Sequence, residues 1–167
     1  MSNGMRNNLI CILFGLGLIF CEDSINENII PNLKLRMLDG TKTTIHELVK
    51  DGPIMIDFWA TWCGPCIAEL PSVKKTYKKL NPKGFQIIGI SLDTKESALK
   101  RFIEKENMPW PQFFDGKGWS NSLAKKHGIR SIPAMWLVDK QGNLVDLNAR
   151  ANLEQKVEDL LGAPSPR

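Results

Sequence analysis

The chain has 167 residues, a formal net charge of +4 and ordinary shares of apolar and charged residues, which allow one domain with a hydrophobic core. Basic and acidic residues are interspersed, which argues against a nucleic-acid-binding surface, and the lysines between positions 74 and 79 are interpreted as a solvated helix face. Only four cysteines are present, two of them within the first 21 residues, so a disulfide framework is excluded.

Residues 1–21 have the pattern of a secretory signal peptide or a lipoprotein signal. One basic residue, Arg6, precedes an apolar run, Leu9–Phe20, that stops at Glu22 and Asp23. As a helix this run would extend about 18 Å, short of the roughly 30 Å hydrocarbon core, which disfavours a membrane-spanning helix. The pattern therefore predicts export from the cytoplasm.

The end of this segment resembles a bacterial lipobox. In Leu18-Ile19-Phe20-Cys21 the cysteine would be lipidated, although Phe20 stands where a small residue is usual. A lipoprotein, an uncleaved anchor and free secretion remain the three alternatives. We expect a protein of the periplasm or cell envelope, held to the membrane by an N-terminal lipid or anchor.

Residues 22–32 are predicted to be a linker, 33–161 a single α/β domain and 162–167 a frayed tail. Alternation, helical spacing and turn residues predict the elements in this order: strand 33–38, strand 41–44, helix 45–50, strand 54–59, helix 66–80, strand 85–92, helix 95–106, extended segment 110–114, helix 120–127, strands 134–138 and 144–147, and helix 153–161. Thr44 and Glu47 form a predicted capping box. This order indicates a mixed β-sheet with helices on both faces.

The chemistry is expected at Cys63 and Cys66, which stand at Cys-x-x-Cys spacing around the turn-forming pair Gly64-Pro65. The pair follows the buried strand 54–59 and opens a helix. Unpaired N–H groups and the helix dipole at this position favour a thiolate. Cys63 is therefore the expected attacking thiol, and Cys66, one turn deeper, the expected resolving thiol.

Other uses of the pair are less compatible with its surroundings. Structural zinc needs four ligands, yet no second cysteine pair is present and His46 and His127 stand alone. A c-type haem needs His directly after Cys66, where Ile67 stands. We predict no metal and no cofactor besides the redox-active disulfide. A purely structural disulfide and a thiol peroxidase of the AhpC/TSA type remain alternatives, although peroxiredoxins carry Thr three residues before the nucleophile and Thr61 is two before it.

Three features together resemble thioredoxin. The run from Asp57 to Cys66 is similar to its active-site segment, Pro71 matches its helix-kinking proline, and Ile132-Pro133 matches the Ile-cisPro pair that faces its disulfide. The chain is identified as a member of the thioredoxin superfamily. The resemblance implies a thioredoxin fold, with an extra N-terminal β-hairpin and a central insertion.

Within this superfamily the chain is similar to the TlpA/ResA-type extracytoplasmic thiol–disulfide oxidoreductases, a redoxin (AhpC/TSA-like) group. The N-terminal signal, the extra hairpin, Thr61, Glu69 in the run Cys66–Pro71 and the long stretch 93–127 carry the similarity. The resemblance implies protein thiols and disulfides as substrates, a monomer, and a membrane electron donor such as a DsbD/CcdA-like protein.

Two acids are candidate supporting residues. Asp57 lies in a strand predicted to be buried, where its pKa rises and where it can relay protons to Cys66. Local hydrogen bonding is the alternative, and the lysine that pairs with this aspartate in thioredoxin has no counterpart in residues 86–90. Glu69 matches an acid that the TlpA/ResA group keeps near its site. The alternative for Glu69 is a solvated acid favoured by the helix dipole.

The tryptophans have separate expectations. By resemblance, Trp62 covers the rim of the disulfide, whereas Trp110 and Trp119 either shape a substrate surface or, as we favour, pack in the core.

We predict a reductant of protein disulfides, because Gly64-Pro65 resembles thioredoxin, whose potential is about −270 mV against about −120 mV for the oxidant DsbA. Cytochrome c biogenesis and envelope disulfide repair are both pathways compatible with this activity. A non-enzymatic partner-binding lipoprotein remains an alternative.

Overall fold

The computed structural model describes residues 11–14, 18–21, 32 and 34–162. The strands are β1 (Cys11–Phe14), β2 (Leu18–Cys21), β3 (Lys34–Arg36), β4 (Lys42–Thr44), β5 (Ile54–Trp59), β6 (Gln86–Ser91), β7 (Gln112–Phe114), β8 (Ala134–Val138) and β9 (Leu144–Asp146). The α-helices are α1 (Ile45–Leu48), α2 (Gly64–Leu80), α3 (Glu96–Lys105), α4 (Ser122–Lys126) and α5 (Leu153–Gly162). Short 3₁₀ turns occur at Asn81–Lys83 and Gly118–Ser120.

The N-terminal strands β1 and β2 pair antiparallel, with Cys11 opposite Cys21. The rest of the predicted signal segment and most of the predicted linker lie outside the described residues, so both stay predictions. At the end of that linker, Asn32 Oδ1 accepts a hydrogen bond from the backbone N–H of His46 at 3.1 Å. None of the helices in the described ranges has the length and apolar character needed to cross a membrane.

The central sheet has five strands in the order β7-β6-β5-β8-β9. Strands β5, β6 and β7 run parallel, whereas β8 is antiparallel to β5 and β9 antiparallel to β8. All six residues of β5 are buried, as expected for a central strand, and Asp57 is the single charged residue among them. The predicted mixed sheet is confirmed.

The extra hairpin of β3 and β4 forms a separate two-stranded sheet. Its turn includes Gly40 at a φ of +87°, a conformation that suits glycine. Met37, just after β3, makes an antiparallel bridge to Phe113 of β7, and the backbone N–H of Leu38 donates to the carbonyl of Gln112 at 2.7 Å. The hairpin is therefore attached to the outer side of β7.

Helix α2 begins at the cysteine pair and packs against α5. Lys79 of α2 forms ion pairs with Glu154 and Glu158 of α5, at 2.6 and 2.8 Å. Lys75 and Lys78 are exposed, as expected for a solvated helix face. Pro71 lies inside α2, as predicted.

Most predicted boundaries differ from the structure by one or two residues, and α2 begins at Gly64, two residues before the predicted start. Differences at two further places concern the organisation of the chain. The predicted helix 120–127 is divided at Asn121, which has non-helical backbone angles and whose side chain caps α4 by accepting from the N–H groups of Leu123 and Ala124. The C-terminal helix α5 includes Gly162, which the sequence placed in the frayed tail. Residues 163–167 of that tail lie outside the described residues. The predicted Thr44–Glu47 capping box is present at α1.

Candidate active site

The disulfide between Cys63 and Cys66 lies where β5 passes into α2, with the two Cα atoms 5.3 Å apart. After β5 ends, the backbone N–H of Cys63 donates to the carbonyl of Ala60 at 3.1 Å, which closes a turn before the helix. Gly64 and Pro65 occupy the first positions of α2, where the missing N–H of proline removes no helical hydrogen bond. The local sequence thus places both cysteines at one helix end.

The two sulfurs differ in their relation to the helix. Cys63 is the N-cap residue, and its Sγ accepts a hydrogen bond from the backbone N–H of Cys66 at 3.2 Å. Cys66 lies within the first turn and is buried, as is Cys63. A thiolate on Cys63 would therefore face a backbone donor and the positive end of the helix dipole, both of which lower a thiol pKa.

The Ile132–Pro133 peptide bond is cis, as the resemblance implies. It immediately precedes β8, whose first residue, Ala134, pairs with Phe58 near the end of β5. The cis peptide and the cysteines are therefore both at the same end of the central sheet. Ile132 and Pro133 are both half-buried.

Asp57 is buried in β5, and its Oδ1 has no hydrogen-bond partner among the described residues. Burial, and to a lesser extent the negative charge of Glu69, raises the pKa of Asp57 to about 7. The local hydrogen bonding that we weighed as an alternative for this acid is not observed at Oδ1. Asp57 is therefore an acid that can gain or lose a proton near neutral pH.

Glu69 lies on α2, one turn beyond Cys66, and is paired with Arg150 from the segment after β9. Arg150 Nε donates to Glu69 Oε1 at 2.7 Å, and a second guanidinium nitrogen contacts the same oxygen. This pairing raises the pKa of Arg150. Glu69 Oε2 is buried and has no partner among the described residues. Glu69 is therefore a partly exposed acid held in an ion pair, and its role stays a prediction. Sequence analysis did not identify Arg150.

A second group that sequence analysis missed joins the ends of β5 and β6. Thr61 donates to Asp93 through its backbone N–H at 3.0 Å and through Oγ1 at 2.6 Å. Asp93 is buried and also accepts from Ser91 Oγ at 2.9 Å. Because the carboxyl ends of adjacent parallel strands lie together, polar residues just after two buried strands were a usable signal for this contact.

The tryptophans divide between surface and core. Trp62, beside Cys63, is 54% exposed, and Trp119 is 48% exposed, with the two ring centroids 6.2 Å apart. Trp110 is buried and packs edge-on against Tyr77 at 5.3 Å. The prediction of core packing is therefore confirmed for Trp110 and wrong for Trp119.

A further tryptophan, Trp59, is the last residue of β5, and its side chain is held by a hydrogen bond to a residue of β7. Its Nε1 donates to Oε1 of Gln112 at 2.9 Å, in a buried hydrogen bond that links β5 to β7 across β6. The Gln112 side chain lies over Gly89, where a Cβ atom would be only 1.9 Å from Oε1. Glycine at position 89 makes room for this hydrogen bond.

Solved structures share this architecture. The thioredoxin domain of a thiol–disulfide oxidoreductase from Bacteroides vulgatus matches 80% of this chain and 96% of that domain, with a TM-score of 0.71 and 29% identity. A thiol:disulfide interchange protein from a Bacteroides species matches 83% of this chain and 91% of its own, with a TM-score of 0.70 and 27% identity. The fold and the Cys63–Cys66 pair define a thiol–disulfide oxidoreductase of the thioredoxin type.

Sequence relatives agree with this class. The thiol–disulfide oxidoreductase ResA of Bacillus thuringiensis subsp. konkukian is 28% identical over 81% of this chain and 76% of the relative. The Redoxin family model matches residues 25–162, which include every predicted site residue. The chain belongs to the Redoxin family.

Proposed function

We propose that the protein reduces disulfides of other proteins outside the cytoplasm, with Cys63 as the nucleophile and Cys66 as the resolving thiol. The observation that carries this assignment is the hydrogen bond from the backbone N–H of Cys66 to Sγ of Cys63 at the N-terminus of α2. Because that donor stabilises negative charge on Cys63, this sulfur has the thiolate that attack on a substrate disulfide requires.

The reaction starts from the dithiol form. The Cys63 thiolate attacks one sulfur of the substrate disulfide, forming a mixed disulfide and releasing the other substrate sulfur as a thiolate, which takes up a proton. The Cys66 thiol then gives its proton to a base and attacks Sγ of Cys63, which releases the second substrate sulfur as a thiolate that takes up a proton in turn. Two electrons pass from the cysteine pair to the substrate, and the Cys63–Cys66 disulfide forms. Of the two protons that the substrate thiols take up, one balances the Cys66 proton and the other balances the proton that Cys63 lost on ionising. The cysteine pair itself is the redox group, and the proposal includes no further cofactor or metal.

Asp57 is the proposed acceptor for the Cys66 proton. Its buried carboxyl has a pKa of about 7, so both the protonated and the ionised forms are available near neutral pH. Glu69 acts through Asp57, since its negative charge contributes to that raised pKa. Trp62, Gly64, Pro65 and the Ile132–Pro133 pair shape the surface around the disulfide in this proposal.

The direction and the setting of the reaction rest on the sequence. Gly64-Pro65 favours a reducing potential, and the N-terminal apolar segment favours export with attachment to the membrane by a lipid or an anchor. Outside the cytoplasm a reductant must be re-reduced by a membrane protein, and a DsbD/CcdA-like donor is the class we propose. The proposed active form is a monomer, and cytochrome c biogenesis and envelope disulfide repair are the candidate pathways.

Substrate trapping tests this proposal. The Cys66→Ala variant should accumulate mixed disulfides on Cys63, which mass spectrometry of an envelope fraction would identify. The matched control, Cys63→Ala, should trap far fewer partners because Cys66 lacks the N-cap position and the backbone donor that favour a thiolate on Cys63. Equal trapping by both variants, or no trapping by a folded Cys66→Ala variant, would contradict the proposed roles. A measured redox potential above about −150 mV would contradict the reducing direction.

A further inference from the structure

An aromatic surface borders the disulfide. Five large apolar residues are exposed in the described part of the chain: Trp62, Ile67, Trp119, Val145 and Leu147. Trp62 and Ile67 are adjacent in sequence to the two cysteines, and Trp119 comes from the segment between β7 and α4 to meet Trp62. We call the Trp62–Trp119 pair the aromatic ledge.

The position of Trp119 is built into the fold. It lies in the 3₁₀ turn Gly118–Ser120, which Asn121 follows. The Asn121 side chain is fully buried, and its amide donates to the carbonyl of Ser91, the last residue of β6, at 3.3 Å. The same amide donates to Asp115 Oδ1 at 3.1 Å. These contacts attach the turn to the end of the central sheet nearest Trp59, so Trp119 is exposed on a rigid support.

The turn also depends on a close backbone approach. Gly118 has a φ of +55°, and a Cβ atom there would be 3.2 Å from the Thr94 methyl group, so a larger residue would be strained in this backbone conformation and would crowd Thr94. The turn thereby leaves the Trp119 indole exposed to water, whereas the Trp110 indole is buried in the core. A large exposed apolar surface held in this way is a feature of interaction sites.

The acids near the ledge are already occupied. Asp93 is buried against Thr61 and Ser91, and Asp115 accepts from Asn121 and Ser122, the latter at 2.8 Å. Lys117, two residues before Trp119, is exposed. The ledge therefore offers aromatic faces without a free carboxylate of its own segment, which fits an apolar side chain better than a basic one.

We propose that the aromatic ledge selects substrates by binding a large apolar side chain that lies next to the reactive cysteine in an extended segment of the partner protein. This inference rests on the proposed function, since it concerns the substrate of the same cysteine pair. Trp62 is adjacent to Cys63 in sequence, and Trp119 beside it enlarges the exposed apolar surface. Aromatic contacts of this kind change a rate or an affinity by about fivefold.

The test uses two short peptides that each carry one cysteine as a mixed disulfide with thionitrobenzoate, with either Phe or Gly beside the cysteine. Release of thionitrobenzoate by the reduced full-length protein gives a second-order rate constant for each peptide. We expect the wild-type protein to favour the Phe peptide about fivefold, and Trp119→Ala to bring this ratio close to one. Trp119→Phe should keep most of the preference.

Val145→Ala is the matched control, because Val145 is also an exposed apolar residue but lies on β9, opposite the far end of β8 from the disulfide. It should keep the wild-type ratio. A wild-type ratio of one, or a ratio that Trp119→Ala leaves unchanged, would overturn the inference while leaving the proposed function intact. Failure of the reduced wild-type protein to react with either peptide would instead contradict the proposed function.

Discussion

Arg150 and Glu69 are 81 residues apart in sequence and form an ion pair beside the active-site helix. The pair connects α2, one turn beyond Cys66, to the segment that follows β9. The negative charge of Glu69 helps to raise the pKa of Asp57, and Arg150 places a positive charge beside the Glu69 carboxylate. The protonation of the buried acid behind the cysteines is therefore linked to a residue from a distant part of the chain.

Substitutions of Glu69 and of Arg150 should shift the pKa of Asp57 in opposite directions. Glu69→Gln removes a nearby negative charge and should lower the pKa of Asp57 from about 7. Arg150→Met leaves the Glu69 charge uncompensated and should raise it. Carbon-13 NMR titration of the aspartate carboxyl measures both shifts. Shifts of the same sign in the two variants would show that the ion pair does not act on Asp57 through charge.

Asp57→Asn should stabilise the protein in mildly alkaline solution. The Asp57 pKa is about 7 in the folded protein against a model value of 3.8, so between these values the folded state holds a proton that the unfolded state has lost. Stability from this group is thus complete below about pH 4 and declines as the pH rises to about 7, by up to about 4 kcal/mol at 1.36 kcal/mol per pKa unit.

Urea unfolding of the oxidised wild type and of Asp57→Asn, at pH 4.5 and at pH 8, measures this effect. His127 also contributes to the pH dependence of stability in each protein. Burial, and then Lys126, lower the pKa of His127, so protonation of this residue at acid pH destabilises the folded state. Both proteins contain His127, so the difference between them isolates Asp57. The advantage of the variant should grow with pH, and a constant difference would contradict the raised pKa.

The part-buried hydrogen bond from Thr61 to the buried Asp93 should stabilise the site more than an equivalent exposed one. Thr61→Val removes the donor at 2.6 Å from a buried carboxylate and should cost about 1.5–3 kcal/mol of unfolding free energy. Thr41→Val removes the same kind of bond, at 2.7 Å, from exposed Asp39 and should cost under about 0.5 kcal/mol. Thermal or urea unfolding compares the two. Equal losses would mean that burial does not set the strength of this contact.

Local patterns account for what sequence analysis predicted correctly. The continuous apolar run gave the bounds of β5, and Thr44 with Glu47 gave the start of α1, because each signal lies within a few consecutive residues. Cys63 and Cys66 were found for the same reason. These features depend on neighbours in sequence, which periodicity and capping rules describe.

The missed contacts depend on the tertiary fold. Arg150 meets Glu69 only after β8 and β9 have returned the chain to α2, and no spacing rule connects the two positions. Trp119 was placed in the core because a tryptophan buries much apolar surface, yet Asn121 divides the predicted helix and leaves the indole outside. Asparagine is a favoured N-cap residue, but the burial of Asn121 and its bond to Ser91 depend on the tertiary fold and have no local sequence signature.

Gly89 should tolerate no larger residue. In Gly89→Ala the new Cβ would lie 1.9 Å from Gln112 Oε1, so the buried Trp59–Gln112 hydrogen bond must break or β6 must shift. We expect a loss of about 1–3 kcal/mol in urea unfolding, as for other overpacked sites. Gly162→Ala is the control, since among the described residues no atom outside its chain neighbours and its own helix backbone lies within 4 Å of the new Cβ. It should change stability by less than about 0.5 kcal/mol. A neutral Gly89→Ala would show that the Gln112 side chain has room to move.

The hairpin of β3 and β4 has a consequence for solubility. A five-stranded open sheet has two outer strands whose free N–H and C=O groups can pair with another molecule and start aggregation. On one side the outer strand is β7, and the Met37–Phe113 bridge with the Leu38–Gln112 hydrogen bond uses the backbone groups that would otherwise be offered there. On the other side β9 is only three residues long. Deleting the hairpin would therefore open β7 to intermolecular strand pairing, and the shortened chain would be prone to self-association.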